Sequence, residues 1–151
     1  MTHDPPIRDP LSKRRLKTWV RLLGVTRAAE SHLREHLRVQ HRTTLPRFDV
    51  MAALYRRRDG VTMSELSRML LVSNGNATTV VDRLEADGIV ARTPSDVDRR
   101  TVFVALTPAG VTVFEGQATP HEAEVNRLFG HLTVADLDTL TEILKRMGAR
   151  T

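Results

Sequence analysis

The stretch VTMSELSRMLLVSNGNATTVVDRLEADGIVARTPSDVDRRTVFVALTPAG, residues 61–110, changes its hydrophobic period part-way, and that change decides the fold. Thr62-Met63-Ser64-Glu65 is a capping box, in which the Thr62 hydroxyl accepts from the Glu65 amide and the Glu65 carboxylate reaches back. It opens a short helix with Leu66, Met69 and Leu70 inside. After a tight connection Ser73 offers a second N-cap, Ala77, Val80, Val81 and Leu84 recur on one face, and Gly88 supplies the stop. The other face carries Asn74, Asn76, Thr78, Thr79, Asp82 and Arg83. From Ile89 the period falls to two: Ile89–Thr93 is a short strand, and Thr101–Leu106 alternates with Val102, Val104 and Leu106 on one side. Between them Pro94–Arg100 is polar, charged and turn-prone. The order is helix, tight turn, helix, β-hairpin.

Outward from this segment the chain is helical. Thr107-Pro108 starts a helix by cap and first-turn proline. It continues through Val111, Phe114, Val125, Leu128 and Phe129, and Pro120 is expected to kink or interrupt it. Thr133 to about Met147 carries Leu137, Leu140, Ile143, Leu144 and Met147 at helical spacing. Upstream, Pro46 begins a helix with Phe48, Met51, Ala52, Leu54 and Tyr55 inside, ended by Asp59-Gly60. Before it, Leu16, Trp19, Val20, Leu23, Leu33 and Leu37 keep helical spacing from about 13 to 40, longer than a small domain can cover alone. That reads as a dimerisation element. The expected fold is therefore mainly α with a small β-hairpin wing, ordered α-α-α-α-β-β-α-α. It divides into a flexible arm (1–12), an N-terminal dimerisation helix (13–44), a winged helix-turn-helix (45–107) and C-terminal dimerisation helices (108–151).

The 151 residues suit one compact domain with extensions that need a partner. No apolar run approaches the roughly 20 residues needed to span a bilayer, and residues 1–10 are polar and proline-rich. A cytoplasmic protein without a membrane partner is expected. The absence of cysteine excludes disulfides, a thiol nucleophile and thiol-based sensing. The net charge of +5 comes overwhelmingly from arginine, whose planar fork suits phosphates and guanine edges; a GC-rich coding sequence would have the same effect. Residues 1–58 hold 14 basic and 5 acidic side chains, whereas 59–107 hold 5 and 7. The positive charge is concentrated outside the segment expected to read DNA.

Two short helices joined by a tight turn can place the second in a major groove, provided its outer side chains are short and polar. Asn74, Asn76, Thr78 and Thr79 meet that demand. The helix N-terminus from Ser73 offers amides to phosphate, and Gly75 allows close approach. A solvent-facing helix would look similar; the hairpin that follows tips the balance. Its loop lifts Arg99 and Arg100 away from the body, where one can enter a narrow minor groove, with Asp98 placed to orient an arginine.

Leu66–Leu70, Val72–Thr78, Val81–Arg92, Asp98-Arg99-Arg100 and Leu106–Gly110 together resemble the MarR family of bacterial regulators. The resemblance implies a homodimer formed by the terminal helices and bound to a pseudo-palindromic double-stranded operator, usually as a repressor. It implies that Asp98 braces Arg100 in the minor groove, with Arg99 as a phosphate contact; Arg83, on the polar face of the second helix, is a further DNA-binding candidate. It also implies release by a small anionic aromatic effector, an aromatic acid or its CoA thioester. Trp19, Arg38, Arg42, Arg47 and Phe48 are the candidate effector residues, although a solvent-facing arginine stripe explains the same positions.

Other chemistry finds little support. His32 and His36 have a metal-competent i, i+4 spacing, but no cysteine accompanies them and no metal or cofactor is expected. His121-Glu122-Ala123-Glu124 lacks the second histidine of a zinc-protease helix, and there is neither a Gly-rich phosphate loop nor a nucleophile elbow. An enzyme is not expected. The remaining rival is an architectural protein that binds DNA without sequence preference.

Overall fold

The computed structural model describes residues 9–70 and 74–148, with Asn74 described by its backbone alone. The elements run α1 (Ser12–His41), α2 (Leu45–Arg56), β1 (Val61–Thr62), α3 (Met63–Leu70), α4 (Asn74–Ala86), β2 (Val90–Pro94), β3 (Val102–Leu106), α5 (Pro108–Phe129) and α6 (Val134–Gly148). Residues 1–8 of the expected arm and the expected Ser73 cap lie outside the described residues.

Local chemistry explains most boundaries. The Thr44 hydroxyl accepts the Arg47 amide N–H at 3.3 Å and starts α2. The capping box at α3 is complete, with the Thr62 amide on Glu65 Oε2 at 3.1 Å and the Glu65 amide on Thr62 Oγ1 at 3.2 Å. Thr133 and Asp136 form the same reciprocal pair before α6. Arg42 closes α1 in the left-handed region (φ 52°) and turns the chain toward α2.

The sheet has three strands in the order β1-β3-β2, not the two of the expected hairpin. β2 and β3 pair antiparallel from Val90 opposite Leu106 to Pro94 opposite Val102. β1 adds to the other edge of β3, with Val61 opposite Val104 and Thr62 opposite Phe103. Gly60, at φ 101°, bends the chain into that strand. Two residues are too few to display an alternating pattern, and Thr62 is both strand end and helix cap.

α2 lies at the centre of the core. Its Phe48, Val50, Met51 and Leu54 meet Leu37 of α1, Leu66 of α3, Val81 and Leu84 of α4, Val104 of β3 and Phe114 of α5. Burying each such side chain contributes about 1.5–3 kcal/mol. The expected interruption at Pro120 does not occur, and α5 is a single helix through Phe129. Buried Phe114 and Gln117 on one side of the proline and Glu124 on the other hold both halves against the body. The residue whose carbonyl the proline ring crowds is Gly116, with open space where a side chain would be.

A histidine seam joins α1 to α5. His32 Nε2 lies 2.6 Å from Glu124 Oε2, and His36 Nδ1 lies 3.9 Å from Glu124 Oε1. These two histidines face a carboxylate, and no three His, Asp or Glu side chains among the described residues are grouped to hold a metal. His121 stacks on Phe48 with ring centroids 4.2 Å apart. Burial, and secondarily the nearby His36, lowers the His121 pKa. The folded state therefore disfavours protonation of His121, whereas the unfolded chain protonates near its ordinary value of about 6.5. That contribution to stability is present above this pH and is lost as pH falls below it. The melting temperature should fall between about pH 7.5 and about pH 5.5, and His121→Phe should flatten the decline; an unchanged slope in the variant would remove His121 as its source.

Outside the core, large apolar side chains remain uncovered. Leu16, Trp19 and Val20 are exposed on α1, and Ile143, Leu144 and Met147 on α6, which buries none of its residues. Among the described residues no helix is long and apolar enough to cross a membrane.

Candidate nucleic-acid interface

α4 packs through Ala77, Val81 and Leu84, which leaves Gly75, Asn76, Thr78, Thr79, Asp82 and Arg83 exposed on its outer face. The partition matches the one read from periodicity. The Thr79 hydroxyl donates to the Gly75 carbonyl at 3.1 Å. No atom lies within 4 Å of the position a Gly75 side chain would occupy, so another backbone can come close there. The helix ends in a Schellman motif: Gly88 sits at φ 75°, and the Ile89 amide donates to the Leu84 carbonyl at 2.9 Å.

The wing is tied to this helix by a side chain to which sequence reasoning gave no role. Arg92 on β2 donates to Asp82 Oδ1 at 2.6 Å and to Glu85 Oε1 at 3.0 Å, and its amide donates to Glu85 Oε2 at 3.1 Å. Asp82 and Glu85 stand three residues apart on one face of α4, a spacing visible in the sequence. What the sequence does not display is which strand residue will lie across from them. Asp82 is thus engaged in bracing the wing.

At the wing tip the Ser95 hydroxyl accepts the Val97 and Asp98 amides, at 3.2 and 3.4 Å. Asp98 does not hold an arginine side chain. Its carboxylate accepts the Arg100 amide at 3.0 Å and the Thr101 hydroxyl at 3.3 Å, so the brace acts on the backbone of the turn. A short side chain beginning a turn finds the amide two residues on before it can reach a long mobile guanidinium. Arg99 and Arg100 are exposed, and neither has an ion pair among the described residues. They extend from a hydrogen-bonded loop with their donors open to solvent.

The candidate effector residues do not form one site. Arg38 and Arg47 line a groove of about 450 Å³ between α1, α2 and α4, together with Arg34 and with Arg83 of the outer α4 face. Trp19 is exposed on α1 and Arg42 occupies the left-handed link. Phe48 is buried against Phe114, with ring centroids 5.5 Å apart, and against His121. None of these three lines the groove. One-dimensional proximity grouped residues that helix geometry directs to different faces. Two groove arginines are already paired, Arg47 with Asp87 at 2.5 Å and Arg38 with Glu35 at 2.6 Å. Of the Arg56–Arg58 run, Arg58 lies over the Tyr55 ring at 5.1 Å.

The MarR family model matches residues 43–101, from the α1–α2 link through the wing. The HTH-type transcriptional regulator MhqR of Bacillus subtilis is 28% identical over 138 residues, covering 91% of this chain and 94% of its own. Among solved structures, AbsC of Streptomyces coelicolor, a MarR family transcriptional regulator, has a TM-score of 0.85 at 26% identity, covering 94% of this chain and 97% of its own. A mutant MarR from E. coli is 30% identical, with a TM-score of 0.68 and coverage of 84% of this chain and 93% of that one. Its complex with operator DNA gives 28% identity and a TM-score of 0.76, covering 92% and 98%.

Proposed function

The chain belongs to the MarR family of transcriptional regulators, which are not enzymes, and on that premise we propose that it is a homodimeric, sequence-specific repressor released from its operator by an anionic aromatic effector. The observation that carries this reading is the pairing of two probes. The exposed polar face of α4 stands beside a wing whose Arg99 and Arg100 have no ion pair among the described residues. On this reading Ser73, Asn74, Gly75, Asn76, Thr78, Thr79 and Arg83 serve the major groove or its phosphates. Arg100 enters the minor groove, Arg99 meets phosphate and Asp98 shapes the turn.

The uncovered apolar faces of α1 and α6 support assigning residues 13–44 and 108–151 to dimerisation, with 45–107 as the DNA-binding unit. A two-fold axis then matches a pseudo-palindromic operator. The arginine-lined groove supports an anionic effector, because Arg83 belongs both to the groove and to the outer face of α4. A ligand drawn to Arg83 competes with DNA for it.

Sedimentation combined with competition binding tests this reading. The wild type should sediment as a dimer and bind its own promoter about 1000-fold or more tighter than random duplex. Leu144→Asp should be monomeric and lose operator binding. Equal affinity for promoter and random duplex would favour an architectural protein, and a monomeric wild type would remove the dimer.

A further inference from the structure

Three acids stand near the C-terminal end of α4, Asp82, Glu85 and Asp87, where the helix dipole favours cations instead. Each is met by an arginine from another element. Asp82 and Glu85 take Arg92 of β2, and Asp87 takes Arg47 of α2 at 2.5 Å. Asp87 lies one residue past Ala86, but its amide still donates to the Arg83 carbonyl at 3.1 Å, so it continues the helical turn. At about 100° per residue, Asp87 lies roughly 170° round the axis from the mean direction of Asp82 and Glu85. The buried stripe of Ala77, Val81 and Leu84 falls between these two flanks. α4 thus rests on an apolar floor and is gripped on both sides by guanidinium groups. The Arg47 side chain is 26% exposed and that of Arg92 25%, so each reaches α4 along a course set by the surrounding fold. Arg47 is rooted in the first turn of α2, where Thr44 holds its amide and Phe48 enters the core.

We propose that Arg47 is a positioning residue for base readout: by holding Asp87 it fixes the roll of α4 about its axis, and with it which outer side chains meet base edges. An apolar floor is non-directional and sets that roll loosely, whereas charge-assisted hydrogen bonds are directional. One residue corresponds to about 100° of roll, so a fraction of that carries a short Asn or Thr side chain out of hydrogen-bonding range of a base. In this role Arg47 makes no contact with DNA. The role rests on α4 being the DNA-reading helix, and it adds a residue from outside the reading face. A pair whose acid is 54% exposed contributes little to stability, so its loss is read in discrimination between duplexes and hardly in melting.

Competition anisotropy with the whole chain tests this, using the operator footprinted in its own promoter, versions with single base-pair substitutions across one half-site, and a random duplex. In the wild type, substitutions at positions read by α4 should each weaken binding by about 10- to 100-fold. Arg47→Ala should shrink those penalties by about threefold or more, with random-duplex affinity and salt slope unchanged because no phosphate contact is lost. Asp87→Asn, on a half-exposed side chain, should act in the same way. Arg47→Asp combined with Asp87→Arg should restore most of the discrimination that either reversal alone removes. A purely structural role would weaken binding to all duplexes alike and leave the penalties as in the wild type, which overturns the proposal. So does a salt slope that falls by about 2 per dimer in Arg47→Ala, the mark of a direct phosphate contact. A wild type without penalties removes α4 as the reader and the role of Arg47 with it. Penalties that persist unchanged in both Arg47→Ala and Asp87→Asn remove only the role of Arg47.

Discussion

Arg100→Ala is expected to weaken operator binding by roughly 10- to 100-fold at moderate salt, with melting temperature and dimerisation unchanged. The Arg100 guanidinium has no ion pair among the described residues, so truncation leaves no orphaned partner within the fold. The Asp98 carboxylate holds the Arg100 amide, and that bond survives the substitution. All of the loss should therefore appear in DNA binding. In a dimer two such charges are removed, so the slope of log affinity against log salt should fall by about 2. Fluorescence anisotropy with labelled operator across a salt series measures both quantities. Unchanged affinity would contradict the wing assignment, whereas a fall in affinity with an unchanged salt slope would point to a lost shape contact rather than a lost charge.

Gly110→Ala should be the most damaging single-methyl substitution in the molecule, costing about 3 kcal/mol or more and lowering the melting temperature by roughly 10 °C. A methyl at Gly110 would overlap the Ile89 carbonyl oxygen and come within 2.9 Å of the carbonyl carbon. That carbonyl cannot move aside cheaply, because it accepts the Thr107 amide at 3.0 Å. The Thr107 hydroxyl bonds the Gly88 carbonyl at 2.7 Å and accepts the Gly110 amide at 3.0 Å. Displacing Ile89 would thus disturb the end of α4, the start of the wing and the cap of α5 together. Thermal melting by circular dichroism gives the answer, and a loss under about 2 °C would mean that the junction yields far more readily than its hydrogen bonds imply.

Most of the architecture was legible because local chemistry and burial agree. Thr62 and Glu65, Thr107 and Pro108, and Gly88 mark boundaries through bonds to their near neighbours, so four or five residues contain the whole cause. The inner face of α4 followed from Ala77, Val81 and Leu84 for the same reason. What was hidden depends on contacts distant in sequence. β1 exists because β3 has a free edge for Val61 and Thr62. Pro120 is tolerated because buried residues flank it on both sides. Asp98 had two chemically reasonable partners, and only the turn geometry chose the amide. The candidate effector residues were the least legible part, since a groove assembled from three helices leaves no contiguous trace.

The bonds from Arg92 to Asp82 and Glu85 have a consequence for operator architecture. They make α4, the proposed reading helix, and the wing a ruler with two fixed marks. In the proposed complex a half-site cannot stretch: one base pair inserted between the positions read by helix and wing would rotate and translate one mark off its target. An insertion at the centre of the operator instead rotates and translates one whole ruler relative to the other, so that the strain falls on the proposed joint between the two protomers. The regulator should thus be strict within each half-site, and its tolerance between half-sites is set by the joint between protomers and not by the wing.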